Sequence, residues 1–378
     1  MNSQQAPLAS LPTPHRIAVV CLRRLGDVLL TAPLIRTLRV AYPQARIEAL
    51  VFAGTEGALA GNPDLDALHV LPQRGAFARV RGLWHHYDVA FCTQAADRPQ
   101  LISAWIARRR ISVVPRAGEP GYHWKRWLSW RWTELPDGDA HTVVQYLRLA
   151  EICGLPIQAI GIPPQPENDA RIAARLGADW ASRRYAVLHP APKFRYKEWT
   201  ADGWRGLLAW LGAQGLEVMI TGSGDAQEMQ RAAALAASAP GVTTHNLAGA
   251  LQLGDLSWLI GKAQVFVGPD TSITHLAALT GAPTVALFGP SSPTVWGPWP
   301  QIDAPLSNSP WQEVMPLQQR GNVWLLQGIA PCVPCKLEGC ERRLDSYSHC
   351  LDELPLVRVT AAVAAALQRS ANPTAARL

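Results

Sequence analysis

The stretch VGPDTSITHLAALTGAPTVALFG, residues 267–289, decides the fold class of this chain. Apolar residues run continuously at both of its ends, as in buried strands of a parallel sheet, and an apolar helix lies between them. A polar cluster from Asp270 to His275 stands where the first strand gives way to the helix. The stretch is therefore a strand, helix and strand unit with polar groups at its first turn.

The same alternation of strand and helix continues along the chain, which argues for parallel sheets covered by helices on both faces. It lapses at GIPPQPENDA, residues 161–170, a segment rich in proline and polar residues. We therefore predict an N-terminal domain over residues 15–165 and a C-terminal domain over 166–354. A disordered tail over 1–14 precedes them, and a helix and tail over 355–378 follow.

Composition restricts the class of protein. The chain of 378 residues is 48% hydrophobic and 17% charged, as in water-soluble globular proteins. No apolar run approaches the roughly 20 residues of a membrane helix. The first residues lack the basic start and apolar run of a signal peptide, so a cytoplasmic location is expected.

Positive charge predicts an anionic partner. The net charge is +6, and residues 108–132 contain RRR followed by WKRWLSWRW. Such a mixture of arginine and tryptophan suits a membrane interface or a phosphorylated glycolipid. It also suits a solvated loop whose tryptophans pack on the domain, and the sequence does not choose between the two.

Two α/β domains are compatible with a dehydrogenase, a periplasmic binding protein or a glycosyltransferase. The dinucleotide fingerprint G-x-G-x-x-G is missing after the first strand, where CLRRLGDVLL has one glycine. This disfavours a dehydrogenase. A periplasmic protein needs an export signal, and none is predicted.

Ligands of open α/β sheets bind beyond the carboxyl ends of the strands, so the strand-to-helix turns are candidate sites. The first is RRLGD, residues 23–27. Asp27 begins a helix, where it either caps backbone amides or acts as a general base. Gly26 allows a substrate to approach the backbone, and we place Arg24 with it on the acceptor side.

The second turn, HPAPKFRYKEW at 189–199, follows the first strand of the second domain. Lys193, Arg195 and Lys197 place three cations within five residues, an arrangement that suits a diphosphate. A solvated basic loop is the alternative interpretation.

The third turn, TGSGD at 221–225, permits a tight bend near a nucleotide at Gly222. Asp225, or less favourably Glu228, is placed to accept hydrogen bonds from a ribose. A single G-x-G is a weak signal, and an ordinary tight turn explains it equally well.

The fourth turn is the polar cluster of the opening stretch. The positive end of the following helix attracts an anion, and the hydroxyls of Thr271 and Ser272 add donors. His275 lies one helical turn after Thr271, on the same face. Capping by Asp270 and a buried, hydrogen-bonded His275 form the structural alternative.

In this order, the turns resemble those of the heptosyltransferases of glycosyltransferase family 9, which build the inner core of lipopolysaccharide from ADP-heptose. The resemblance covers residues 16–360, and as an ordered set its motifs are specific. The segments FRYKEW and WGPW are most similar to the branch that adds the third heptose. The matching motifs are RRLGDVLLTAPLIRTLRVAYP, HPAPKFRYKEW, TGSGD, LAGALQLGDLSWLI and VGPDTSITHLAALTGAPTVALFGPSSPTVWGPW.

The resemblance implies the GT-B fold, with two Rossmann-like domains facing across a cleft and a last helix that packs back on the first domain. It implies an inverting transfer without a catalytic metal or cofactor. ADP-heptose is the implied co-substrate, and a lipopolysaccharide core precursor or other glycan is the implied acceptor. Peripheral contact with the inner membrane is compatible with this role, and nucleic acid is not an expected partner.

The resemblance also assigns roles to residues. Asp27 matches the catalytic base, and Lys197 matches the lysine that contacts the donor phosphates. Asp225 falls near an acidic residue that binds the donor ribose, although the family usually has glutamate there. The donor-binding loop is matched by Asp270, Thr271, Ser272 and His275.

Two other functions stay open at this stage. The acceptor of the same chemistry could be a protein of the autotransporter type. Alternatively, the chain could be a non-catalytic GT-B protein that binds a nucleotide or glycolipid, although the presence of both Asp27 and Lys197 argues against this.

Four of the seven cysteines fall in CVPCKLEGCERRLDSYSHC. Their C-x2-C-x4-C-x9-C spacing fits a tetrahedral structural site for zinc or iron. Reduced, packed thiols are the alternative, since disulfides are rare in a reducing cytoplasm. The candidate ligands are Cys332, Cys335, Cys340 and Cys350.

Overall fold

A computed structural model describes residues 13–136, 138, 140–302 and 308–371. The predicted disordered tail over 1–14 lies outside this part of the chain apart from its last two residues. The final residues 372–378 also lie outside it. The described residues form two compact units, 13–162 with Asn308, and 163–302 with 309–371.

The first unit contains a six-stranded sheet in which every neighbouring pair is parallel, with the order β3-β2-β1-β4-β5-β6. Its strands are β1 (Arg16–Cys21), β2 (Arg46–Phe52), β3 (Ala67–Leu71), β4 (Tyr87–Cys92), β5 (Ala107–Val114) and β6 (Arg131–Glu134). Its helices are α1 (Leu25–Leu29), α2 (Ala32–Ala41), α3 (Ala76–Val80), α4 (Asp97–Ile106), α5 (Tyr122–Leu128) and α6 (Thr142–Glu151). The strand order reverses between β1 and β4, which is where sheets of this kind bind ligands.

The second unit contains a seven-stranded sheet with the order β12-β13-β11-β10-β7-β8-β9. Its strands are β7 (Tyr185–Leu188), β8 (Glu217–Ile220), β9 (Thr244–Asn246), β10 (Val265–Pro269), β11 (Thr284–Phe288), β12 (Leu317–Arg320) and β13 (Val323–Gln327). All are parallel except β12, which pairs antiparallel with β13. Here the order reverses between β7 and β10.

The second unit has eight helices among its described residues. They are α7 (Ala170–Leu176), α8 (Ala201–Ala213), α9 (Ala226–Ala237), α10 (Leu253–Gly261), α11 (Ser272–Thr280), α12 (Pro293–Trp296), α13 (His349–Asp352) and α14 (Leu356–Ala371). In the described part of the chain, no helix has the length and apolar character needed to cross a membrane.

The strand, helix and strand prediction for residues 267–289 is confirmed by β10, α11 and β11. Gly281 ends α11 with a φ of +84°, a left-handed conformation that a residue with a side chain adopts at a cost. The chain then enters β11 parallel to β10, with Phe266 opposite Thr284. The polar cluster is thereby placed at the carboxyl end of β10.

The expectation for the last helix is wrong. Helix α14 packs within the second unit, against α8, β10, β11 and β13. Its apolar stripe, which includes Val359, Ala362 and Val363, is fully buried in the same core as Val265 and Leu326. The apolar surface of this helix completes the core of the unit to which it is joined, and this packing determines its place.

Candidate functional site

The first polar group at a strand end is Asp27, in the first turn of α1 after β1. Arg24 holds the N-cap position without a side-chain cap, whereas the Asp27 carboxylate interacts with backbone groups at Arg24 and Asp27, as the capping interpretation expects. The carboxylate is buried, and its Oδ1 has no hydrogen-bond partner among the described residues. Arg23 contacts it at 3.5 Å between Nη1 and Oδ1.

The surroundings of Asp27 make it a stronger base than an exposed aspartate. Burial raises the pKa of its carboxyl group, and the charges of Arg23 and Arg24 only partly oppose this. The Cys21 thiol and Tyr146 hydroxyl, both buried, interact electrostatically with the carboxylate. Burial raises the pKa of Cys21 to about 12 and that of Tyr146 well above its usual value, so both groups stay neutral.

In the second unit, Lys197 and Asp270 meet where the strand order reverses. Lys197 ends a short 3-10 turn after β7, Asp270 follows β10, and their Nζ and Oδ2 atoms are 2.5 Å apart. Burial acts to raise the pKa of Asp270, but Lys197 and the Ser291 hydroxyl hold it below its usual range. Asp270 is therefore ionised near neutral pH. Lys193 and Arg195, the other predicted cations of this turn, are exposed.

Two buried imidazoles accompany this ion pair. Burial lowers the pKa of His275 to about 4 and that of His189, at the end of β7, to about 4, so both are neutral at pH 7. His189 Nδ1 lies 3.1 Å from the Thr221 hydroxyl, whereas Nδ1 of His275 has no partner among the described residues. The alternative of a hydrogen-bonded His275 is thus not supported at this atom.

The start of α11 is capped by Thr271 and not by Asp270. The hydroxyl oxygen of Thr271 accepts a hydrogen bond from the Thr274 amide, so it is already engaged within the helix. Ser272 occupies the first helical position, where a backbone amide lacks an acceptor within the helix. The anion site predicted here retains its amides and dipole, while the Thr271 hydroxyl serves mainly as a cap.

The turn after β8 is ordered by its own carboxylates. Asp225 caps α9, its Oδ1 accepting from the amides of Gln227 and Glu228. Glu228 Oε2 accepts from the Ser223 amide. Gly222 has an ordinary φ, but a Cβ there would lie 3.3 Å from that of Ala248, so the glycine permits close packing of two loops.

The four cysteines of the C-terminal segment differ in their exposure. In the described part of the chain, no three histidine, cysteine, aspartate or glutamate side chains are arranged to hold an ion. Cys350 is buried, Cys335 is partly buried, and Cys332 and Cys340 are exposed. Burial, with the neighbouring Cys335, Cys340 and Cys332, raises the pKa of Cys350 to about 12. The zinc or iron site suggested by the cysteine spacing therefore stays a prediction.

Sequence reasoning missed His189, Thr221, Ser291, Cys21 and Tyr146. His189 is the first residue of the HPAPKFRYKEW motif. Its position directly after a buried strand could have indicated a place at the ligand-binding edge of the sheet. Cys21 and Tyr146 could not be recognised from the sequence, because each occupies a core-facing position in the regular apolar spacing of its strand or helix.

A family model described as glycosyltransferase family 9 (heptosyltransferase) matches residues 81–326, nearly two thirds of the chain. The chain belongs to glycosyltransferase family 9. As a family 9 protein it is a glycosyltransferase, and the predicted family, fold class and enzyme class are confirmed.

This family 9 glycosyltransferase is 27% identical over 288 residues to lipopolysaccharide heptosyltransferase 3 of Escherichia coli K12, covering 72% of this chain and 82% of the relative. Its fold matches a glycosyl transferase of family 9 from Veillonella parvula, with a TM-score of 0.74, 18% identity, and 95% and 99% of the two chains covered. It also matches the ADP-heptose heptosyltransferase II of E. coli, with a TM-score of 0.71, 20% identity, and 94% and 99% covered.

Proposed function

We propose that this enzyme transfers heptose from ADP-heptose to a hydroxyl of a lipopolysaccharide inner-core acceptor, with inversion at the anomeric carbon. Relatives named as lipopolysaccharide heptosyltransferases support the substrate class. The observation that carries the chemistry is Asp27, a buried carboxylate where the strand order of the first sheet reverses, whose Oδ1 accepts no hydrogen bond from the described residues. Such a group is suited to take a proton from a bound hydroxyl.

In the proposed mechanism, Asp27 accepts the proton of the acceptor hydroxyl while the oxygen attacks the anomeric carbon. The new glycosidic bond forms on the face opposite the departing ADP, so the configuration of this carbon inverts. The raised pKa of Asp27 favours proton acceptance in the transition state. Arg24 and Gly26, on the same turn, are proposed to contact the acceptor.

The second unit supplies the donor side of the proposal. Lys197 and the first amides of α11 stabilise the negative charge that grows on the diphosphate as the bond to the sugar breaks. Ser272 and Lys193 add donors to the phosphates. Asp270 holds Lys197 in place through their 2.5 Å contact.

Other groups of the second unit orient the nucleoside and sugar of the donor. Neutral His275 offers a ring nitrogen to a sugar hydroxyl, since its Nδ1 is otherwise unpartnered in the described structure. We retain Gly222 and Asp225 as the ribose side of the site. Asp225 Oδ1 is committed to capping α9, so the proposal assigns the ribose contact to Oδ2.

The acceptor class places the reaction at a membrane. Lipopolysaccharide precursors are anchored by lipid, so we propose that the enzyme works in the cytoplasm with peripheral contact at the inner membrane. The acceptor proposed here is the inner core of lipopolysaccharide, and the relative named lipopolysaccharide heptosyltransferase 3 supports this acceptor class.

The test of this proposal compares two buried aspartates of the first unit. Asp27→Asn should reduce transfer of heptose to truncated lipopolysaccharide acceptors by about 10²- to 10⁴-fold, the usual loss for a general base. Binding of ADP-heptose, measured by calorimetry, should be unchanged. Asp64→Asn is the control, because Asp64 is equally buried and pairs with Arg36 at 2.9 Å, but precedes β3 and does not follow the carboxyl end of β1. Near-normal transfer by Asp27→Asn would refute the assignment of the base.

A second measurement tests the donor class. ADP and ADP-heptose should raise the unfolding temperature more than UDP, GDP or NAD at equal concentration. A preference for NAD would contradict the proposal and favour a dehydrogenase.

A further inference from the structure

Three tryptophans precede three neighbouring strands of the first sheet. Trp84 lies just before β4, Trp105 just before β5 and Trp130 just before β6. Because these strands are adjacent and parallel, their amino ends share one edge of the sheet. The tryptophans therefore line that edge, and Trp127 at the end of α5 lies beside it.

Much of this aromatic surface is open to solvent. Trp127 is 83% exposed and Trp84 is 56% exposed, values that are high for tryptophan. Phe77, which is 46% exposed, packs on Trp105 with ring centroids 5.1 Å apart, and Trp84 packs on Trp105 at 4.3 Å. Phe77, Trp84 and Trp105 thus form one aromatic cluster that is partly open to solvent, and such clusters mark an interaction surface.

The same edge is basic. Arg108 and Arg109, at the start of β5, are exposed, and the Arg109 guanidinium lies 5.5 Å from the centre of the Trp130 ring. The three segments that form the edge hold eight lysines or arginines and no aspartate or glutamate; they are residues 76–87, 105–111 and 124–132. Lys125 is buried and pairs with Asp97 at 2.6 Å, so the positive charge of this surface comes from its arginines, which lie beside the aromatic rings.

We infer that this surface, defined by Phe77, Trp84, Trp105, Trp127, Trp130, Arg108 and Arg109 and called the amino-edge surface below, docks on a bilayer of anionic phospholipids. Tryptophan prefers the boundary between headgroups and acyl chains, and exposed arginines attract anionic headgroups. Docking of this kind needs no spanning helix. The charge pattern disfavours a second copy of the chain, because a symmetric contact would place the arginines against themselves.

The amino-edge surface is separate from the proposed transfer site. Asp27 follows the carboxyl end of β1, whereas the tryptophans lie at the amino ends of the strands, and a strand of six residues spans about 20 Å. The inference deepens the proposed function by naming the surface that meets the membrane. Its failure can be distinguished, because docking and transfer to a lipid-free acceptor depend on different residues.

The experiment measures flotation of the full chain with vesicles. Wild-type protein should bind vesicles of phosphatidylglycerol and phosphatidylethanolamine, and bind pure phosphatidylcholine much more weakly. Arg108→Glu with Arg109→Glu should weaken binding by roughly tenfold or more, since each interfacial cation contributes about a fivefold factor. Trp127→Ala should weaken binding even in high salt, where charge is screened.

Two controls accompany this experiment: charge reversal at a distant surface, and transferase activity on an acceptor without lipid. Arg175→Glu with Lys262→Glu, which changes two exposed cations of the second unit, should leave vesicle binding close to wild type. Transfer to a lipid-free core oligosaccharide should be unchanged in all of these variants. If charge reversal unfolds the protein, the milder Arg108→Gln with Arg109→Gln keeps the test open, with an intermediate loss expected.

Three results would overturn the inference. The first is equal vesicle binding by wild type and the arginine and tryptophan variants. The second is equal binding to anionic and zwitterionic vesicles. The third is tight binding to single-stranded RNA, or self-association, that is lost in the same variants while vesicles do not bind.

Discussion

Replacing Lys197 with methionine separates the structural work of this lysine from its proposed role at the donor phosphates. Methionine keeps much of the side-chain length and removes the charge. Asp270, which is 7% exposed, would then be a buried carboxylate without its cation. The lysine side chain itself is 20% exposed, so its removal leaves mainly the aspartate uncompensated.

The expected loss of stability follows from this geometry. Removing one partner of a buried ion pair costs about 3–5 kcal/mol, and the partial exposure of Lys197 places the cost near 3 kcal/mol at pH 7. Lys197 lowers the pKa of Asp270, so its stabilising effect is fully present above the ordinary carboxyl pKa, about 3.9. As the pH falls through the folded-state pKa, the aspartate protonates and this effect is lost. The difference between wild type and variant should therefore shrink in acid.

A double variant completes the assay. Lys197→Met with Asp270→Asn removes both charges, and urea unfolding should show most of the lost stability restored. Transfer from ADP-heptose should stay impaired, because the cation at the diphosphate is still absent. Unchanged stability in Lys197→Met at pH 7 would refute the importance of the ion pair. Recovery of transfer in the double variant would refute the role of Lys197 at the phosphates.

Further predictions concern pH and capping. The acid limb of kcat/KM should lie above the ordinary carboxyl range, because burial raises the pKa of Asp27; a limb at or below about pH 3.9 would contradict this. The free energy of unfolding should fall as the pH drops from about 6.5 towards 4, by about 3 kcal/mol for each of His189 and His275, because each must take up a proton that its buried site disfavours. In a His189→Gln variant, urea unfolding should show this fall to be smaller by about 3 kcal/mol. Thr271→Ala should cost about 1 kcal/mol in thermal unfolding and Thr271→Ser much less, whereas equal losses would show that the cap contributes little.

The sequence was sufficient to predict the class of fold, because the spacing of apolar residues and the positions of glycine, proline and polar residues indicate the same strands and helices along most of the chain. The run from Val265 to Phe288 shows this: continuous apolar strands, a glycine at the helix end and polar residues confined to one turn. The same logic placed Lys197 and Asp270 at strand ends. That they form an ion pair depends on β7 and β10 being neighbours, which follows from topology and not from local pattern.

Other features required the three-dimensional structure. The apolar stripe of α14 indicates burial but does not name the partner, so the expectation taken from the family placed it on the wrong unit. The helix cap at Thr271 was missed because Asp270, one residue earlier, is an equally good capping type. The spacing of the cysteines suggested a metal, but spacing does not determine how the side chains converge.

The packing of α14 has a consequence for how the chain folds during synthesis. The last buried apolar residues of the first unit in chain order include Cys153 and Ala159, so that core can form once the chain has been made as far as Ile162. The second core contains Ala186 but also Val363 and Ala366. Until α14 emerges from the ribosome, the apolar residues that it covers on β10 and β11 stay exposed to solvent. A stalled or shortened chain would thus carry one folded unit and one that depends on chaperones.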